Sequence, residues 1–231
     1  MMMKKLSFLV FTLLTGMTLT AQEYNNPHIA IKPIPTLSIP QVVINDTATI
    51  VKIQIVNSKQ LPPFTLRTRE LYIRPVSDPN SLNLVKAINA PFAPEKHVFT
   101  TQNEVFDFTL IFPPLPKGTK YFDLMENMPE RQFYVQGIIL DPQLNALVQE
   151  GFDAFSRADG NAALKAFIAF ANADLYFEYG LAYFNIIYLL TASNRIDEAQ
   201  VWYDKFKEHF FYDKKLLQTQ MDKLGISQKL K

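Results

Sequence analysis

The chain of 231 residues contains no cysteine. That excludes disulfides, a thiol nucleophile, a Cys-X-X-Cys redox pair and a lipid-bearing N-terminal cysteine. Histidine occurs three times, at His28, His97 and His209. These are scattered, with no second ligand at metal spacing, so each reads as a surface or turn histidine. The seven glycines form neither a phosphate-cradling loop nor a Gly-X-Ser-X-Gly elbow. Net charge is only +1, which implies no broad basic surface and no nucleic-acid partner. No catalytic or cofactor-binding motif is present. Hydrophobic residues make up 48% and charged residues 19% of the chain, which suits a packed core and not wholesale disorder.

The N-terminus has the pattern of an export signal over residues 1–21. Lys4 and Lys5 give the positive region, Leu6 to Leu14 a short apolar run, and Thr18-Leu19-Thr20-Ala21 a cleavage site before Gln22. The run is too short for a comfortable membrane span. Cleavage leaves 21 basic against 22 acidic residues, a formal charge of −1. No membrane span is then expected. The Leu-Thr-Ala-Gln ending resembles the signals of Bacteroidetes exports, which implies a periplasmic or secreted product.

Residues 22–140 read as a β-rich domain. Prolines gather here, and Val51, Ile53 and Ile55 alternate with polar residues. Glu70 to Pro75 is a second short strand. Phe106, Phe108, Leu110 and Phe112 give a third a strongly aromatic face. Phe133, Val135 and Ile139 mark a last one, with Gly137 at a bulge or a close backbone approach. Pro113 and Pro114 cannot donate to a ladder, so the third strand must stop there. Short strands with Pro/Gly punctuation predict an antiparallel, immunoglobulin-like β-sandwich. The run from Phe108 to Glu126, followed by Gln132 to Leu140, resembles an accessory module common in exported Bacteroidetes proteins, and Asn45 to Thr49 is similar to its early strand. That resemblance implies an N-terminal β-domain joined to another unit, without an established chemistry. Asp46-Thr47-Ala48 also resembles a short O-glycosylation acceptor of those bacteria. A plain strand start is the competing reading, and intact mass separates the two.

Asp141 and Pro142 mark the join, one a favoured N-cap and the other suited to the first helical position. No Gly/Ser linker intervenes, so the two halves should pack together. Five helices are expected over residues 141–231. The first runs from about Pro142 to Arg157. The second is capped by Asn161 and ends near Ala173. The third runs from about Phe177 to Ala192, and the fourth from Arg195 to His209. The last starts after Asp213 and stops at Gly225. Two blocks lie thirty-six residues apart: Ala163 falls on Ala199, Phe167 on Tyr203, Phe170 on Phe206 and Leu175 on Phe211. With Tyr183, Ile186, Leu190 and a turn at Asn194, the second block resembles a tetratricopeptide repeat, a helix–turn–helix unit of about thirty-four residues. In the first block Gly151 fits the small position, whereas Glu150 and Ala154 stand where larger apolar residues are usual. The overall expectation is an α+β chain, the sandwich followed by a helical-hairpin unit.

The resemblance implies that first helices line a concave groove. Its register places Asn145, Val148, Phe152 and Phe155 of block one there, with Leu181, Phe184, Tyr188 and Thr191 of block two. Burying one large apolar side chain contributes roughly 1.5–3 kcal/mol. Four left bare would forgo about as much as a domain's net stability. Either the rest of the chain covers them or a partner does. Other features read as structural. Asp123 with Glu126, and Glu126 with Glu130, read as solvated loop acids, not a glycosidase pair. Trp202 reads as packing. Lys205, Lys207, Lys214 and Lys215 read as a solvated face. The leading expectation is a non-enzymatic exported adaptor that holds a protein or peptide partner in the cell envelope, with no cofactor. The alternative is a small-molecule or glycan binding module, its ligand between sandwich and helices.

Overall fold

A computed structural model describes residues 21–128, 133–173, 179–211 and 213–230. The signal residues 1–20, Glu130, Leu175 and the expected third-helix start at Phe177 lie outside them. Ten strands come first: β1 Gln22–Asn25, β2 Ile29–Ile31, β3 Leu37–Ile44, β4 Thr49–Val56, β5 Leu71–Pro75, β6 Leu82–Asn83, β7 Lys86–Ile88, β8 Val105–Phe112, β9 Tyr121–Glu126 and β10 Tyr134–Ile139. They form two five-stranded antiparallel sheets, ordered β1-β3-β4-β8-β7 and β2-β10-β9-β5-β6.

Alternation builds the core between the sheets. Val51 faces Leu110, Ile53 faces Phe108 and Ile55 faces Phe106 across the β4–β8 pair. These side chains share one apolar cluster with Leu71, Ile73, Phe122, Leu124 and Val135 of the second sheet. Phe64 joins it from a loop, its ring 5.5 Å from Phe108 and 6.0 Å from Phe133. Cross-strand aromatic and β-branched pairs of this kind are what stabilises an antiparallel pair. The β9–β10 register shifts between Val135 and Ile138, and Gly137 there has φ +66°, the expected bulge.

Six strands, β1, β2, β3, β6, β7 and β9, escaped the sequence pattern, and two of them show why. β3 contains Pro40, which ordinarily demotes a run. Its pairing with β4 shifts between Ser38 and Gln41, so the proline falls in an irregularity where no ladder donor is required. β9 carries two acids and is buried on both faces, so it shows no alternation.

Helices follow directly: α1 Pro142–Ser156, α2 Gly160–Ala173, α3 Gly180–Ala192, α4 Ile196–Glu208 and α5 Lys214–Lys223, then a 3-10 turn Ser227–Lys229. Asp141 caps α1, its Oδ1 accepting the N–H of Gln143 and Leu144. The cap of α2 is Asp159, whose Oδ1 accepts the Ala162 N–H at 3.0 Å. Asn161, expected in that role, sits one residue inside the helix, past the reach of a cap. Ends of α1 and α3 repeat bond for bond. Asp159 N–H reaches Ala154 O and Ala158 N–H reaches Phe155 O; thirty-six residues on, Arg195 N–H reaches Leu190 O and Asn194 N–H reaches Thr191 O. Both are Schellman stops, with Ala158 and Asn194 left-handed at φ +58°.

The helices pack in series, α1 on α2, α2 on α3, α3 on α4, and α5 back onto α3. Two glycines allow the closest approaches. A methyl group at Gly151 would meet the Phe167 ring at 2.6 Å, and one at Gly180 would meet Leu217 at 2.7 Å. Ala163 and Ala199 are fully buried. Tyr121 and Ile139 of the second sheet belong to the helical core, so one end of that sheet is covered on both faces. Leu217 and Met221 of α5 are buried, while Leu224, expected on the same edge, is exposed at the helix end.

Candidate functional site

At 100° per residue, Leu181, Phe184 and Tyr188 share one face of α3, flanked by Thr191 on one side and Asn185 on the other. Phe152 and Phe155 come from α1. The structure joins the two sets: the Phe155 ring lies 6.0 Å from Tyr188, and Tyr188 lies nearly parallel to Phe184 at 6.5 Å. Phe155 stays 44% exposed, and Leu181, Phe184 and Tyr188 are half-buried. The result is a partly open aromatic strip crossing two helices. Phe152 is also half-buried, edge-on to Phe167 at 5.3 Å and facing His28 at 6.1 Å.

The remaining groove candidates do not reach this surface. Val148 and Thr191 lie inside the helical core. Asn145 belongs to the joint between the halves instead. Its Oδ1 accepts the His28 N–H at 2.8 Å, and its Nδ2 donates to Ile139 O at 2.7 Å and Asp141 O at 3.1 Å. The register that places Asn145 in a groove assumes a helix free at its first turn, and here that turn is seated on β2 and β10. Next to the strip, Asn185 Nδ2 and Thr191 Oγ1 are buried without a hydrogen-bond partner among the described residues.

The joint itself encloses a cleft of about 340 Å³, lined by Glu23, Tyr24, Asn25, His28, Asn145 and Gln149. Burial lowers the His28 pKa from its ordinary value, against the raising effects of a Gln149 hydrogen bond and the Asp153 charge. His28 is therefore not a surface histidine. It sits where β2 meets α1, because its carbonyl also accepts the Ile139 N–H. Sequence reasoning placed the alternative ligand between the two halves but did not identify the residues that line this cleft. Its lining comes from β1 and the turn before β2 at one end of the sheet-forming half and from α1, more than a hundred residues later, with no local pattern to join them.

No known protein family, curated protein or solved structure matches the chain.

The acids read as solvated turn out to be interior. Asp123 and Glu126 are both 0% exposed on β9. Asp123 accepts the Gly137 N–H at 2.9 Å, at the bulge, and pairs with Arg74 at 3.4 Å. Glu126 accepts Arg67 N–H at 2.6 Å and Phe133 N–H at 3.2 Å, one on each oxygen. They lie three apart on a strand, so they project to opposite faces and do not form a pair. Buried carboxylates survive because backbone donors replace water. His97 is likewise braced, not solvated: its Nε2 lies 2.9 Å from Glu104 and its ring stacks on Phe106 at 3.9 Å. The C-terminal lysines are engaged locally. Lys205 lies over Trp202, Lys207 pairs with Asp204, and Lys214 donates to two carbonyls. Trp202 packs edge-on to Tyr183. Thr47 is exposed at the β3–β4 turn, its hydroxyl donating to Asn45 Oδ1. Among the described residues no three His, Asp or Glu side chains gather at metal-holding distance, and no helix is long and apolar enough to cross a membrane.

Proposed function

We propose that the chain is an exported, non-enzymatic adaptor: an immunoglobulin-like sandwich carrying a short tetratricopeptide-like unit that holds a protein or peptide partner in the cell envelope. The thirty-six-residue offset supports the repeat reading, since it governs both the apolar spacing and the Schellman stops of α1 and α3. So does the close approach at Gly151, where small-beside-aromatic packing is what draws paired helices together. The observation that carries the function is the aromatic strip. Phe155, Phe184 and Tyr188 keep accessible surface that neither the sheets nor α5 covers. Aromatic rings offer large contact area at low entropic cost, which suits them as anchors for a partner's apolar side chains. The test is capture from an envelope fraction with the wild type and with Phe184→Ser/Tyr188→Ser, each checked by thermal melting. Loss of the partner with a retained melting transition supports the adaptor. Loss of folding assigns the strip to the core, and recovery of no protein above background by the wild type counts against the adaptor.

A second reading has its own observation. The polar cleft at the joint, with Glu23, Tyr24, Asn25 and Gln149 at its rim, suits a small hydroxyl-rich ligand or glycan. Gln149→Trp would fill it. A ligand whose binding is abolished by that change and untouched by the Phe184/Tyr188 pair favours this reading.

A further inference from the structure

On the sheet-forming half, far in sequence from both features above, an open bowl of about 680 Å³ lies against β7 and the loop that follows it. Its polar lining is Arg69, Asn89, Glu95, Lys96 and His97, over a floor of Phe92 and Phe106. The Arg69 guanidinium carbon lies over the Phe92 ring, 4.4 Å from its centre. That contact orients the fork without using its hydrogens. Neither the Arg69 nor the Lys96 side chain has an ion pair or hydrogen bond among the described residues.

His97 is held at three places. Its backbone exchanges both hydrogen bonds with Phe64, its ring stacks on Phe106, and Nε2 meets Glu104. Glu104 is fixed in turn, its second oxygen accepting Thr100 N–H at 2.7 Å, Thr101 N–H at 3.2 Å and the Thr100 hydroxyl at 3.1 Å. These backbone donors, Thr100 first, hold its carboxyl below the usual range. The carboxylate therefore takes the Nε2 hydrogen and leaves Nδ1 as the ring's remaining polar atom. Asn89 is committed on one side only: its Nδ2 donates to Asp107 O, which leaves Oδ1 as an acceptor.

Two unpaired cations, one of them a pre-oriented planar fork, match an oxyanion, and a fork matches a carboxylate best. The bowl is much wider than one carboxylate and falls within the size range of small-ligand sites, about 300–1,000 Å³. Its other polar groups, Glu95 and Asn89 Oδ1, are acceptors and so fit hydroxyl donors. Two cations beside a glutamate are too few for a polyphosphate backbone. We infer that this bowl binds a carboxylate-bearing saccharide, with Arg69 clamping the carboxylate, Lys96 adding charge, and Glu95 and Asn89 taking ring hydroxyls.

The experiment is calorimetric titration of the purified protein with a uronic-acid trisaccharide, the neutral hexose trisaccharide of the same linkage, and inorganic phosphate. The uronate should bind, weaken as salt is raised, and lose at least about tenfold in affinity in Arg69→Gln, because a charge-assisted bidentate contact is lost. Arg69→Lys, which keeps the charge and loses the fork, should recover only part of that loss. Arg69 is exposed, so both variants should melt as the wild type does. Failure of the wild type to bind the uronate overturns the assignment. So does equal binding of the neutral sugar, tighter binding of phosphate, or an affinity unchanged in Arg69→Gln.

Discussion

At Ala158 the two helical hairpins differ in local backbone energy. It stands at the left-handed stop of α1, where the matching position thirty-six residues on is Asn194. Asparagine tolerates that backbone and alanine does not, at a cost of about 1–2 kcal/mol. Ala158→Gly should therefore raise stability by about 1 kcal/mol, visible as a higher denaturation midpoint, with no contact changed because the site is exposed. A midpoint equal to or below the wild type would refute the strain. Glu126 makes the opposite case. Each of its oxygens satisfies a separate backbone N–H, from Arg67 and Phe133. Glu126→Ala leaves both donors unmet and should destabilise by about 1–3 kcal/mol for each. Glu126→Gln retains one acceptor oxygen and should fall between. The same residue explains a failure of sequence reading. Nothing local marks an acid as buried when the donors that compensate it lie 59 and 7 residues away.

Elements were legible where one face of the segment meets solvent. β4 and β8 alternate, α1 carries its cap and proline, and α5 stops at a glycine, so each could be placed from spacing and punctuation alone. β9 could not, because both of its faces are covered: one packs into the core between the sheets, and on the other Tyr121 joins the helical core while side chains of β5 and β10 contact Met125. The groove register was legible for the same reason and failed for the same reason. Phe155, Phe184 and Tyr188 follow helical period and reach the surface, whereas Asn145 depends on what its turn rests upon. At this scale the α1–α2 hairpin is set by Gly151. Its missing Cβ is where the Phe167 ring sits, and a ring wedged between helices cannot swing aside as a flexible chain end can. Gly151→Ala should cost about 1–3 kcal/mol by overpacking, despite the better helix propensity of alanine. Gly160→Ala is the control. A methyl there meets nothing closer than 3.6 Å, so urea unfolding of the two variants should separate them clearly.

Across the whole molecule, two apolar cores meet at one joint, and His28 sits in it. Its backbone is tied to β10 through Ile139 and to α1 through Asn145, so the ring's environment reports how the halves are seated. Burial favours the neutral imidazole there; Gln149 and the Asp153 charge, both on α1, favour the protonated form but do not outweigh it. The folded pKa is thus below the ordinary value of 6.5 that the unfolded chain keeps. Above about pH 6.5 neither state binds the proton and the histidine's contribution is complete. As pH falls below that point the unfolded chain is protonated first, so stability is lost until the folded form also takes up the proton. Carboxylates add their own acid loss lower down, so the comparison must be differential. Stability measured by urea unfolding from pH 7.5 to pH 5 should fall more steeply for the wild type than for His28→Gln, which cannot titrate. The two curves should approach one another toward acid, even if the variant starts lower at neutral pH for want of ring packing on Phe152. Parallel curves across that interval would mean that the imidazole stays hydrated in the folded protein, and that the joint is looser than its hydrogen bonds describe.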